Sequence, residues 1–184
     1  MKNTLFVTIF FLALSWTHIA AQNSVPPNGA EISFTLNRQR GFSSNQFAVW
    51  IEDSRGSLVK TLYATKFTAT GGWAKRPQSI PIWVVKSDIS DLSKNDIDAF
   101  TGATPRSGLL SYRWDGLDKN GTRAAAGEYR VFLEATLRAE NRVLFSAPFT
   151  LGNTNLTEPA IRSQYFGSST KERGMVENVK VVYH

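Results

Sequence analysis

The chain has 184 residues, a formal net charge of +6, no cysteine and two histidines. The absence of cysteine excludes disulfides, thiolate metal sites and iron–sulfur clusters. The histidines are His18, within an N-terminal apolar stretch, and His184. The rest of the chain therefore offers no histidine for a Ser-His-Asp arrangement, a Cys-His pair or a histidine zinc site. The basic residues are scattered among acidic ones, whereas a nucleic-acid partner would need a contiguous basic stripe.

Residues 1–21 have the pattern of a secretory signal peptide. Lys2 supplies the positive charge, residues 5–14 form an apolar run too short to span a bilayer comfortably, and residues 17–21 form a small-residue exit. The alternative is a membrane anchor that is never removed, which the short apolar run disfavours. No later segment is apolar enough to cross a membrane. We therefore predict an exported protein, periplasmic or secreted, that is not embedded in the membrane after cleavage.

Residues 22–29 form a polar leader with two prolines, which we predict to be flexible. The remaining residues, 30–184, are enough for a single domain with its own core. Within this domain, alternation of apolar and polar residues predicts a series of short strands. In chain order these lie at residues 32–36, 47–51, 58–63, 109–114, 129–137, 143–149 and 179–183. The turn residues at 53–56 predict a hairpin between the second and third strands.

Three other segments lack a clear strand pattern. Residues 68–78 contain a Gly-Gly pair and a proline and predict a loop. Residues 80–85 (IPIWVV) suit either a strand or a short helix that is capped by Ser79 and has Pro81 in its first turn. Residues 88–98 have apolar residues at roughly helical spacing, which predicts a helix.

Residues 151–171 are polar and rich in Gly, Asn, Ser and Thr, and they predict a long loop. Seven or eight short alternating strands with turn signals between them are typical of an antiparallel sandwich. We therefore predict a mainly β fold, an immunoglobulin-like antiparallel β-sandwich with one short helix and long loops.

The segment 114–121 (WDGLDKNG), followed by 127–129 (GEY), predicts a strand end, a tight hairpin and a return strand. Asp115, Asp118 and Asn120 can bond their own backbone in Asx-turns. The alternative is a calcium site, but calcium usually takes six or more oxygens and a bidentate carboxylate, so the turn is favoured. The pattern resembles the hairpin of immunoglobulin-like domains such as the one in the flagellar hook-capping protein. That resemblance supports the fold and says nothing about function.

A wider set of segments resembles one family. The segments are, in chain order, residues 47–53 (FAVWIED), Gly56, 59–62 (VKTL), Trp83, 98–104 (DAFTGAT) and the WDGLD hairpin. Together they resemble an uncharacterised bacterial family of predicted periplasmic proteins with a domain of unknown function, over about residues 32–138. The match weakens at 138–141 (RAEN), where the family often has a histidine that is absent here. The resemblance implies an association with flavin transferases and with membrane-bound haem or iron-reductase proteins.

Residues 98–104 carry the most specific motif. They resemble the D-x-x-[ST]-G-A-T signature of proteins that carry flavin mononucleotide (FMN) covalently, on a threonine esterified by an exported, magnesium-dependent flavin transferase. The cofactor-binding residues that the resemblance implies are Thr104, as the attachment point, with Asp98, Thr101, Gly102 and Ala103. An acceptor hydroxyl must be accessible to a second enzyme, and the small residues before it leave room for that approach. Pro105 departs from the pattern, because Ser or Thr often follows the acceptor in such proteins.

The motif also has a plain structural alternative. The same residues suit a connection from a helix to a strand, with Gly102 ending the helix and Asp98 or Thr101 capping it. The carboxylates crowded into this part of the chain are Asp88, Asp91, Asp96 and Asp98. A glycosidase needs two carboxylates on opposite walls of a cleft, so a solvated helix face explains this cluster better.

If flavin is attached, aromatic side chains should flank its ring. The candidates are Trp73, Trp83 and Phe100, because each lies in a segment that could approach Thr104. Trp73 lies between small residues in the predicted loop, and we expect it to be exposed. For Trp83 the alternative is a place in the core, which is the commoner position of tryptophan in a sandwich.

Two functions compete. The first is an electron carrier that holds FMN on Thr104 and passes electrons between a membrane-bound reductase and an external acceptor, with redox chemistry supplied by the cofactor. The second is a non-catalytic envelope binding or scaffold module that uses the loops at 68–78 and 151–171 as contact surfaces. Neither is an enzyme with its own substrate. A chain without cysteine or internal histidine must obtain any redox function from a bound cofactor, which favours the electron carrier.

Overall fold

The computed structural model describes residues 29–38, 45–138, 141–153, 158–168 and 173–183. The predicted signal peptide at 1–21, and all of the predicted leader at 22–29 except its last residue, lie outside the described residues.

In the described part of the chain, nine strands form two sheets. The larger sheet has the order β4-β3-β2-β6-β7-β8 and the smaller has the order β5-β1-β9. Neighbouring strands are antiparallel, except that the two-residue β4 runs parallel to β3. The strands are β1 Ala30–Leu36, β2 Gln46–Asp53, β3 Leu58–Thr65, β4 Thr101–Gly102, β5 Gly108–Trp114, β6 Gly127–Arg138, β7 Asn141–Leu151, β8 Arg162–Phe166 and β9 Val176–Tyr183.

The two sheets enclose an apolar inner core. Successive side chains of a strand point to opposite faces, so every second residue contributes to this core. Phe34 of β1, Leu133 of β6 and Val143 of β7 are all fully buried there. The alternating segments of the sequence at 129–135 and 143–149 therefore face inward as predicted. The prediction of a mainly β sandwich is confirmed.

An outer core covers the opposite face of the six-stranded sheet. The segment 66–100 lies over that face and includes the helical turns Thr68–Gly72 and Ile89–Asp91, with the helices α1 Trp73–Lys75, α2 Pro81–Ser87 and α3 Lys94–Phe100. Trp83 of α2 and Trp50 of β2 are fully buried in this layer, and the Trp50 ring stacks on Phe132 with the centroids 5.1 Å apart. Strand β2 is thus buried on both faces, because it lies between two cores.

The helical layer corrects two predictions. The sequence predicts one short helix, whereas α2 and α3 each have seven residues and shorter turns accompany them. Residues 68–78 were predicted to be a loop, but they form two short helical turns up to residue 75, separated by a kink at Thr70 and Gly71. Thr68 and Ala69 are buried at the start of this segment, so it packs on the sheet rather than extending into solvent.

Strand β6 supplies the cap of α2. Ile80 occupies the N-cap position with a left-handed backbone (φ 42°, ψ 54°) and no side-chain cap, so the prediction that Ser79 caps this helix is wrong. The Glu134 carboxylate instead accepts the backbone N–H of Trp83 at 2.9 Å and of Ile82 at 3.3 Å. Of the two alternatives for residues 80–85, the structure has the helix, which begins at Pro81. Its free N–H groups are satisfied from the strand beneath it.

Two further side chains complete this contact. The Thr136 hydroxyl accepts the N–H of Ile80 at 2.8 Å and donates to the carbonyl of Gln78 at 3.0 Å. Arg142 lies 3.7 Å from the Glu134 carboxylate, which is fully buried. Burial raises the pKa of Glu134 to about 7, although its two N–H donors and Arg142 act in the opposite direction.

Two connections also differ from prediction. Strands β5 and β6 belong to different sheets, so the predicted hairpin at 114–129 is wrong and residues 115–126 cross from one sheet to the other. The crossing is held by a bridge between Leu117 and Arg123. The predicted loop at 151–171 contains the edge strand β8, whose polar side chains give no alternating pattern.

Candidate functional site

The motif 98–104 connects the two sheets. It starts in the last turn of α3, passes through β4 and ends in the irregular segment 103–107, which leads into β5. The motif therefore begins at the edge of the larger sheet and ends beside the smaller one.

Local sequence explains where α3 begins and ends. Ser93 and Asp96 form a capping box, in which the Ser93 side chain accepts the Asp96 N–H at 3.2 Å. After Phe100 the backbone of Thr101 is extended (φ −99°, ψ 150°), and β4 pairs Thr101 with Ala64. The helix therefore ends in an extended strand rather than in a left-handed glycine.

Gly102 is needed for close packing. A Cβ atom at this position would lie 2.9 Å from the Tyr63 ring, closer than real side chains approach. The Tyr63 hydroxyl also donates to the carbonyl of Ala103 at 2.8 Å. Burial raises the pKa of Tyr63 to about 12, so the hydroxyl remains a donor at neutral pH. The role of Tyr63 was missed in the sequence, where it is one residue of an ordinary alternating strand.

The Tyr63 ring has aromatic neighbours. It stacks on Phe47 with the centroids 4.9 Å apart, and Tyr112 of β5 lies at the same distance from it. Burial, with a smaller contribution from Tyr63, also raises the pKa of Tyr112. These three rings join the two sheets directly beneath the end of the motif.

Thr104 lies half-buried within the irregular segment. Its Oγ1 donates to the carbonyl of Asn45 at 3.2 Å. Ala103 before it and residues 106–109 after it are exposed, and the Leu109 side chain is 74% exposed. The hydroxyl is therefore held by one hydrogen bond in a surface segment that is otherwise open to solvent.

Asp98 is at the surface. Its carboxylate lies 3.7 Å from Lys66 Nζ, and the two side chains are 47% and 61% exposed. An ion pair this open contributes little to stability. The carboxylate is therefore accessible to a second protein.

The structure separates the three aromatic candidates. Trp83 is fully buried and its indole N–H donates to the Thr61 hydroxyl at 3.1 Å, so it is a core residue. Trp73 is half-buried against the outer core, and the prediction that it is exposed is wrong. Phe100 is half-buried and meets Trp83 edge to face, with the ring centroids 6.0 Å apart. Phe100 thus remains as a partly accessible aromatic residue within the motif.

A groove of about 830 Å³ runs along one side of Phe100. Its walls are the start of β3, the end of α2, one face of α3 and the crossing segment near Lys119. Leu58, Leu92 and Phe100 line it as half-buried apolar side chains that pack against the outer core. We call this feature the α3 groove.

Two of the lysines that line the α3 groove form ion pairs within the protein. Lys60 lies 3.2 Å from Asp115, and Lys86 lies 3.2 Å from Glu52. The carboxylates that line the groove, all exposed, are Asp88, Asp91 and Asp96. Lys119 is exposed and forms no ion pair with any residue that the structure describes.

The crossing segment has the predicted turn chemistry. The Asp115 side chain accepts the N–H of Leu117 at 3.1 Å, and the Asp118 side chain accepts two N–H groups at 2.8 Å each. These are Asx-turns. Within the described ranges, no group of three or more His, Cys, Asp or Glu side chains is suited to hold a metal ion.

These features define a class of protein: a two-sheet β-sandwich with a helical layer and a surface segment that crosses between the sheets. The chain belongs to the family described as predicted periplasmic protein (DUF2271), whose model matches residues 29–167. The family description places the protein in the periplasm, in agreement with the export predicted from the sequence. Neither the curated proteins nor the solved structures include a match to this chain. No helix in the described ranges is long and apolar enough to cross a membrane.

Proposed function

We propose that this periplasmic protein is an electron carrier with FMN esterified to Thr104. The observation that supports the proposal is the position of the Thr104 hydroxyl, which lies in a surface segment and is held by one hydrogen bond to Asn45. Asp98, Thr101, Gly102 and Ala103 form the rest of the attachment motif. Exposed residues on both sides of Thr104 give an exported flavin transferase access to the backbone.

The attachment reaction balances with flavin adenine dinucleotide as the donor of FMN. The Thr104 oxygen forms a bond to the phosphorus next to the flavin, the phosphoanhydride bond breaks, and the adenylate leaves with the hydroxyl proton. The Thr104 side chain must turn away from Asn45 for this step. Loss of one hydrogen bond with a neutral acceptor costs about 1 kcal/mol, which the attachment reaction can overcome.

The chain contributes attachment and environment, and the bound flavin contributes the redox chemistry. A covalent bond prevents loss of the cofactor by diffusion outside the cytosol. A membrane-bound reductase is the proposed electron donor, and the protein itself transforms no substrate of its own.

Intact mass spectrometry tests the proposal on the full chain co-produced with an exported flavin transferase. We expect the mass of FMN less one water, assigned to Thr104 by peptide mapping, and no added mass in Thr104→Ala. Ser107→Ala is the matched control, because Ser107 is an exposed hydroxyl in the same segment. An unmodified wild-type chain, or an unchanged mass shift in Thr104→Ala, contradicts the proposal and leaves the envelope binding module as the simpler function.

A further inference from the structure

The α3 groove adjoins the start of the attachment motif. Ala99 and Phe100, the second and third residues of the motif, both line this groove. Thr104 follows Phe100 by four residues, and four extended residues span at most about 14 Å. The attachment point is therefore within that distance of the groove wall.

A flavin on Thr104 is long enough to cover this distance. The linker between the threonine oxygen and the ring system has about eight single bonds of about 1.5 Å each, at most about 12 Å in all. The ring adds its own length, so its far edge can reach the Phe100 end of the groove. We infer that the α3 groove holds the ring of the flavin attached to Thr104, with Phe100 as the aromatic contact. The inference rests on the proposed function and adds the place where the ring is bound.

The size and lining of the groove suit a flat aromatic group. Small-molecule sites typically enclose about 300–1,000 Å³ and combine apolar walls with a few polar groups, and this groove has about 830 Å³. Leu58, Leu92 and Phe100 provide the apolar surface. The edge-to-face contact with the buried Trp83 fixes the Phe100 ring, so that it offers an oriented surface.

The other aromatic cluster near the motif is less suitable. Tyr63 is half-buried as well, but Phe47 and Tyr112 lie 4.9 Å from its ring and Gly102 lies against its edge, so other residues of the protein already contact the ring. Phe100, in contrast, lines an open groove. Lys119 at the rim adds a positive charge that no described carboxylate pairs with, and charge near a flavin ring tunes its electronics.

The first test measures flavin fluorescence and its quenching by iodide in the loaded full chain, after mass spectrometry has confirmed attachment. A ring in the groove should be weakly fluorescent and protected from iodide. Phe100→Leu should lower the ratio of bound to free ring by about three- to tenfold, which is the factor that one aromatic pair provides. Phe166→Leu is the matched control, because Phe166 is half-buried on β8 at the far edge of the same sheet.

The second test measures the midpoint potential of the attached flavin. Lys119→Glu should lower the potential, because a reduced ring gains negative charge and the variant replaces a nearby cation with an anion. Lys180→Glu makes the same charge change on β9 of the other sheet and should leave the potential unchanged. This test does not depend on the folding of the Phe100 variant.

The outcomes separate the two proposals. A loaded protein whose ring fluoresces like free FMN, is fully open to iodide and responds to neither variant overturns the groove inference and leaves the proposed function intact. A chain that gains no mass on Thr104 overturns both.

Discussion

The two faces of the six-stranded sheet are covered in different ways. The inner face meets another sheet, and the side chains buried between them are almost all apolar. The outer face meets short helices, and there the buried residues include Gln46, Glu134 and Thr136. The difference follows from the backbone. A sheet satisfies its own N–H and carbonyl groups, whereas the ends of short helices leave several of them without partners.

The strands beneath the helical layer provide those partners. The Gln46 side-chain oxygen accepts the hydroxyls of Thr65 at 2.6 Å and of Thr68 at 2.9 Å. At the start of α2, Thr136 accepts the backbone N–H of Ile80 and Glu134 accepts that of Trp83. Strand β6 therefore has an apolar face for the inner core and a partly polar face for the outer one.

Neighbouring residues of β6 give the most direct comparison. Leu133→Ala should lower the free energy of unfolding by about 2–5 kcal/mol, because the residue is fully buried in the inner core. Phe132→Ala should cost less, since Phe132 is half-buried in the outer core. Urea unfolding followed by circular dichroism measures both. A larger loss for Phe132→Ala would show that the outer core, not the inner one, dominates stability.

The buried carboxylate makes the outer core sensitive to pH. The pKa of Glu134 is raised to about 7 from an ordinary value of 4.5. Between these two pH values, Glu134 is therefore still protonated in the folded state but has lost its proton in the unfolded state. The stability that protonated Glu134 contributes is complete below pH 4.5 and is lost as the pH rises through about 7.

We expect the free energy of unfolding of the wild type to fall by a few kcal/mol across this interval, on the order of 1.4 kcal/mol per unit of pKa shift. Glu134→Gln should remove most of this slope. Urea titrations at a series of pH values check it, with Glu128→Gln as control because Glu128 is exposed on the same strand. If the free energy of unfolding depends on pH equally in Glu134→Gln and in the wild type, Glu134 is not the source of that dependence.

Removal of the Thr136 hydroxyl, which accepts the N–H of Ile80, should lower the free energy of unfolding by a smaller amount. Thr136→Val keeps the shape of the side chain but removes the acceptor for the buried N–H of Ile80, which should cost about 1–3 kcal/mol. Hydrogen exchange should show residues 80–87 opening more often while the inner-core strands remain protected. Thr150→Val, at an exposed position of β7, should be nearly neutral. Uniform loss of protection across all strands would argue against a separate outer layer.

The same comparison explains which features could be predicted from the sequence. Segments facing the inner core, such as 129–135 and 143–149, alternate strictly, and their strands were predicted correctly. The polar strand β8 and the helical turns at 68–75 were not, because neither has a period that distinguishes it from a loop. The cap of α2 could not be predicted either, since Glu134 is 51 residues from Trp83 in the sequence.

The candidate site shows a similar division. The motif 98–104 could be recognised from its residue types, and its extended course follows from the strand pairing of Thr101. The contact that requires Gly102 depends on Tyr63, a residue 39 positions earlier, and only the fold brings the two together. Trp73 was expected to be exposed because its sequence neighbours are small, but the fold places it against the outer core.

The smallest expected effect on stability lies at the two ends of the outer layer, where Lys66 and Asp98 form their exposed pair. Asp98→Asn and Lys66→Ala each break this pair and should change the free energy of unfolding by less than about 1 kcal/mol. Flavin loading should distinguish them. If the transferase contacts the carboxylate, loading falls in Asp98→Asn and persists in Lys66→Ala, as read by intact mass. Equal loss of loading in both variants would mean that the ion pair matters through the position of the motif, and equal retention would remove Asp98 from the attachment site.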